Sequence, residues 1–255
     1  MTTTTTTRTS ALWALVGAVA VAVVLPHIPF ASLLARPFVW LSTLAHEGGH
    51  GVGAVLVGGT FKTLQIFPDA SGVATSSYSD EPWRRGTVAL AGLIGPAVLA
   101  GACLFAGVSA RLGRAALAFM GACFLALLTV TQGFGTLVAG GWGVLLVAVA
   151  WKASAPVARL ALLVVAVQLA LAVFSRADYL FVGEAETGAG RMPSDVAHVA
   201  ASFGGHYLLW GVLIGAFSVA LLAAGVFALL AADRLLARVD TWRAARAARR
   251  AQRAA

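Results

Sequence analysis

The sequence predicts an all-α polytopic membrane protein with about six to seven transmembrane helices and one short β-hairpin. Three observations carry that prediction. The 255 residues are 60% hydrophobic and only 11% charged, with a mean hydropathy of +0.88. Apolar runs of about 18 residues or more recur along the chain, long enough to cross a hydrocarbon core of ~30 Å as helices. After Gly58-Gly59 the hydrophobic period changes from that of a helix to two, the period of a strand.

Residues 1–10 form a threonine run with one arginine and no core-forming side chain, which predicts disorder. Residues 11–34 form the first span. The basic residues before it are too few, and the cleavage signal too weak, for a removable leader. The second span, 37–57, is bounded by Pro37 and by Gly58-Gly59. Beyond it, Phe61, Leu64, Ile66 and Val73 alternate with polar residues around Pro68-Asp69-Ala70-Ser71-Gly72, a turn composition. This predicts a β-hairpin leaving the second span.

Further spans follow at about 86–108, 115–131, 136–151, 156–175 and 206–232, with a polar segment at 176–205 before the last. The third holds Ala91-Gly92-Leu93-Ile94-Gly95-Pro96, where small residues allow close helix approach and Pro96 kinks the helix. Cys103 and Cys123 lie in apolar runs and read as small core residues. The domain reading is a disordered segment 1–10, one transmembrane domain 11–232 and a basic tail 233–255.

Seven arginines lie in the last 22 residues of a chain whose formal charge is +8. Counted over alternate segments, lysines and arginines divide twelve to six, and the richer side includes the tail. The positive-inside rule puts that side, and the C-terminus, in the cytoplasm. The basic excess predicts contact with anionic lipid and no nucleic-acid partner. The oligomeric state is not legible.

The second span carries the chemistry, in His46-Glu47-Gly48-Gly49-His50. His46 lies ~14 Å into that run, near the centre of the hydrocarbon core. Ionisable groups are costly at that depth, roughly 2.5–3.5 kcal/mol for Asp, Lys or Arg. A metal ion is the natural compensation. Residues four apart share a helix face, so His46 and His50 can hold one ion, and Glu47 can reach a water on it. This is the zinc-protease arrangement of two ligands and a general base. A catalytic zinc ordinarily takes three protein ligands. Asp178 is the first choice for the third and Asp195 the alternative, although an interfacial carboxylate or a helix cap explains either equally well. Ser194 is placed to cap a helix there, with His198 on the same face as Asp195. Asp69 also stays open.

Taken together, Ala45 to Gly51, Gly58-Gly59, Phe67-Pro68-Asp69-Ala70-Ser71-Gly72-Val73, the Ala91–Pro96 stretch, and Ser175 to Asp178 with Ser194-Asp195 resemble the site-2-protease class of intramembrane zinc metallopeptidases, especially its small bacterial relatives. The resemblance covers about residues 37–205. It implies His46 and His50 as zinc ligands, Glu47 as base, a third ligand from a later helix, and a bacterial plasma membrane location. The archetypal Leu-Asp-Gly ending is missing, because Tyr179 follows Asp178. The implied activity is hydrolysis of a peptide bond in single-span membrane proteins. Such a substrate must unwind, and the predicted strands could hold it by strand addition. The competing reading is a catalytically inactive or metal-binding scaffold or transporter of the same fold. A transport path would need polar residues through the other spans, and spans three to six offer mainly Gln168.

Overall fold

The computed structural model describes residues 32–175, 180–187 and 190–254, together with 13, 15–17, 19, 20, 24 and 28. The disorder expected for residues 1–10 and most of the span expected at 11–34 lie outside them. Seven helices are used below: α1 (Ser32–Leu56), α2 (Pro82–Ala106), α3 (Ala110–Ala126), α4 (Phe134–Lys152), α5 (Ala155–Ser175), α6 (Asp195–Phe203) and α7 (Tyr207–Ala254).

The expected class is observed: five helical stretches among the described residues are long and apolar enough to cross a membrane. These are α2, Ala110–Thr129 around α3, α4, Ala155–Val173 of α5 and Tyr207–Ala232 of α7. Helix α1 is not among them, although at 25 residues it would extend ~37 Å. Its two histidines and glutamate lower its hydropathy. The arginine-rich segment does not form a separate element, since α7 continues through it to Ala254.

The bundle is held by small and branched side chains. Ala97, Ala100, Ala139 and Ala166 are fully buried, as are Leu41, Leu44, Leu117, Leu162 and Leu163. In lipid, helix association depends on such close packing rather than on expelling water. Helices α1 and α2 approach most closely. A Cβ at Gly49 would lie 2.5 Å from the Ala91 carbonyl oxygen, and one at Gly53 would lie 2.7 Å from the Ala91 Cβ. Three arginines finish helix ends across the bundle. Arg84 Nη1 donates to the Val57 carbonyl at 2.6 Å, Arg159 Nε to Gly107 at 2.8 Å, and Arg114 to Ala153. Each places a cation where a helix leaves carbonyls unpaired.

The expected hairpin is present as β1 (Thr60–Ile66) and β2 (Gly72–Ser77), paired antiparallel. Its turn is closed by Phe67 N–H to Ser71 O at 2.9 Å, and Asp69 Oδ1 accepts from Ser71 N–H at 2.9 Å. Thr43 Oγ1 donates to the Ala70 carbonyl at 2.7 Å and ties the turn to α1. A two-residue strand, β3 (Thr131–Gln132), adds parallel to β1. The Gln132–Gly135 break, read from sequence only as a gap between spans, thus completes a sheet of order β2-β1-β3. Strand β2 is left at the edge. The polar segment that follows α5 also carries secondary structure among its described residues. It contains the hairpin β4 (Glu184–Thr187) and β5 (Gly190–Pro193), then α6.

Candidate metal centre

Helical periodicity places His46 and His50 on one face of α1, with ring centroids 4.7 Å apart and planes at 85°. Their Nε2 atoms are 3.2 Å apart. Into the space beside them comes Asp195, from the first turn of α6. Its Oδ2 lies 3.0 Å from His46 Nε2 and 3.2 Å from His50 Nε2. Among the described residues, these three form the one His/Cys/Asp/Glu group whose ligand atoms lie within 4.8 Å of one another. Ligands ~2.0–2.1 Å from a single tetrahedral ion are separated by roughly 3.3–3.4 Å, so this donor triangle matches a metal site in size and in chemistry.

Asp195 is delivered by packing. Ser194 caps α6, its Oγ accepting from Ala197 N–H at 3.2 Å and donating to the Val182 carbonyl at 2.6 Å. Val196 and Val199 are fully buried in a cluster with Ala89 and Leu93 of α2 and Ile214 of α7. Burial alone would raise the Asp195 carboxyl, but the neighbouring imidazoles outweigh it and hold the group below the ordinary carboxylate range. Asp178 lies outside the described residues. Asp69 is not part of the donor group. Its carboxylate takes the Ser71 main-chain N–H and hydroxyl in the hairpin turn.

The His50 ring has a defined seat. Its Nδ1 lies 2.9 Å from the Val88 carbonyl oxygen. A carbonyl only accepts, so Nδ1 carries the proton and Nε2 of the neutral ring is left to bind metal. The ring also rests on Gly92. A Cβ there would fall 2.2 Å from His50 Cε1 and 2.3 Å from Nε2. The glycine-rich stretch of α2 was legible as a packing surface, and the packing includes the imidazole itself.

Glu47 is 5% exposed. The β2 main chain at Gly72–Ala74 lies beside its carboxylate, lining the same cavity. A Cβ at Gly72 would lie 2.7 Å from Glu47 Oε1, so β2 crosses directly above this carboxylate and a side chain there would displace it. Two cavities of about 340 Å³ each meet at this point, both lined by His46, Glu47 and Gly72. One extends past Leu93, Pro96 and Ile214, the other past Tyr78, Arg85 and His198. Sequence reasoning did not assign Gly72, Val88 or Ala74 to the site. The contributions of Val88 and Ala74 are main-chain atoms, which side-chain identity does not reveal.

No curated protein and no solved structure matches the chain. The helix-borne histidines, the buried glutamate beside them and the aspartate from a later helix agree with the result of the family comparison. A family model described as Peptidase M50B-like matches residues 14–225, and the chain belongs to that family, the site-2-protease family.

Proposed function

We propose that this protein is an intramembrane zinc metalloendopeptidase that hydrolyses a peptide bond in single-span membrane proteins. The observation that carries the reading is the position of the Glu47 carboxylate, buried against the one cavity that the His–His–Asp donor set also lines, inside a membrane-spanning bundle. His46 Nε2, His50 Nε2 and Asp195 Oδ2 would hold the ion and leave one position of a four-coordinate site open. The separations of 3.0 and 3.2 Å support Asp195, in place of Asp178, as third ligand. Bound there, zinc supplies Lewis acidity toward water and the scissile carbonyl.

Glu47 is the general base. Its carboxylate takes a proton from the attacking water and returns it to the leaving amine nitrogen. The β2 main chain packs beside that carboxylate, and Gly72 leaves room for it. The opened substrate lies extended beside β2, an edge strand whose residues 72–76 line the cavity. The protein sits in a bacterial plasma membrane with its C-terminus cytoplasmic, where the arginines of the tail meet anionic lipid.

The test joins metal analysis to one substitution. Purified protein should hold about one zinc per chain, lost in the His46→Ala/His50→Ala double variant and retained in Glu47→Gln. Cleavage by Glu47→Gln should fall by about 10²–10⁴-fold, the usual scale of general acid–base catalysis. Single-span proteins that accumulate only in cells carrying Glu47→Gln are the candidate substrates. Equal zinc in the wild type and the double variant rules out the site. Zinc binding with no Glu47-dependent cleavage of any candidate replaces the protease reading with that of a metal-binding scaffold.

A further inference from the structure

Ser218 of α7 is fully buried, and its Oγ has no hydrogen-bond partner among the described residues. It lines the cavity that also holds His46 and Glu47. Other hydroxyls on that wall are satisfied. Ser42 Oγ donates to the Val39 carbonyl at 2.8 Å, Thr43 Oγ1 to Ala70 at 2.7 Å, and Ser71 Oγ to Asp69 Oδ1 at 2.8 Å. A helical serine in an apolar setting ordinarily bonds the carbonyl one turn back. Ser218 does not; Leu93, Pro96, Leu180 and Ile214 share its cavity with polar side chains that include Glu47 and Asp69. An unsatisfied hydroxyl in such a place is costly and calls for an occupant.

Resting on the protease reading above, the chemistry of that occupant follows. A membrane-spanning segment opened for hydrolysis exposes main-chain N–H and C=O groups, which are expensive to leave unpaired away from water. We propose that Ser218 is a substrate-positioning residue whose hydroxyl pairs with a main-chain group of the unwound substrate segment. A hydroxyl can donate to a carbonyl or accept from an N–H, so it selects for an opened helix and not for a particular side chain. Two consequences have opposite signs. In the free protein, Ser218→Ala removes an unpaired polar group and leaves the Tm unchanged or higher. In the complex it removes a bond and weakens binding. A serine with only a structural role would lower the Tm when lost and leave binding alone.

The experiment uses full-length protein in detergent with zinc, in a Glu47→Gln background that prevents turnover. The probe is a lysine-flanked Leu/Ala peptide of about 25 residues, long enough to span. A central Asn-Gly pair weakens its helix, and an uninterrupted Leu/Ala peptide is the comparison. The parent should prefer the weakened peptide. Ser218→Ala should bind it about tenfold less tightly, with unchanged zinc content and no loss of Tm. Ser218→Thr, which keeps a hydroxyl, should recover most of the affinity. Unchanged affinity in Ser218→Ala overturns the inference, as does a fall in affinity that tracks a lower Tm, or a parent without preference between the peptides. Cleavage by the protein with Glu47 intact is scored separately. If it occurs while Ser218→Ala binds normally, only this inference fails; if it never occurs, the protease reading fails.

Discussion

Replacing Gly92 by alanine tests the metal centre at a residue that is neither ligand nor base. The new Cβ would lie 2.2 Å from His50 Cε1, 2.3 Å from Nε2 and 2.5 Å from Nδ1, well inside van der Waals contact. Two kinds of relief are available. The helices could separate, but α1 and α2 already touch through Gly49 at the Ala91 carbonyl and through Gly53 at the Ala91 Cβ. The imidazole could instead turn, which breaks its bond from Nδ1 to the Val88 carbonyl and moves Nε2 away from Asp195. The second is easier, because it disturbs one side chain rather than a helix interface. Losing the orientation of a ligand typically weakens metal binding by about 10–100-fold. The expected loss here is at the upper end, about 100-fold, or ~2.7 kcal/mol. The control is Gly101→Ala on the same helix, where the nearest atom is Leu221 Cγ at 3.0 Å, a flexible side chain far from the imidazoles. Zinc affinity is measured by competition with a chromogenic chelator, and folding by size-exclusion and helical circular dichroism. Zinc affinity in Gly92→Ala within about threefold of wild type would refute the steric argument.

Two further substitutions address the aspartate. Asp195→Asn should lose zinc while Asp178→Asn retains it, measured as metal per chain after dialysis; the reverse pattern would return the third ligand to Asp178. Ser194→Ala removes the α6 cap and leaves the Val182 carbonyl without its donor, so stability should fall by about 1–3 kcal/mol in detergent unfolding. Because the cap immediately precedes Asp195, zinc affinity should fall with it. Undiminished affinity would mean that α6 is placed by Val196 and Val199 alone.

What the sequence determined by itself is local. His46 and His50 share a face because a helix returns to the same side after four residues, and Glu47 follows the first of them covalently. The hairpin after Gly59 was legible because the period changed to two around a turn whose Asp69 bonds its own backbone. Membrane residence followed from composition and run length. The tertiary structure brought the Asp195 carboxylate to the imidazoles, a contact that Ser194-Asp195, readable in sequence as a plain helix cap, does not announce. It also decided that β3 joins β1, that β2 lies above Glu47, and that Gly92 seats the His50 ring. These depend on contacts between residues far apart in the chain, and short-range periodicity carries no record of which distant surfaces meet. Only the packing of α6 against α2 and α7 brings the Asp195 carboxylate within 3.0 Å of a histidine on α1.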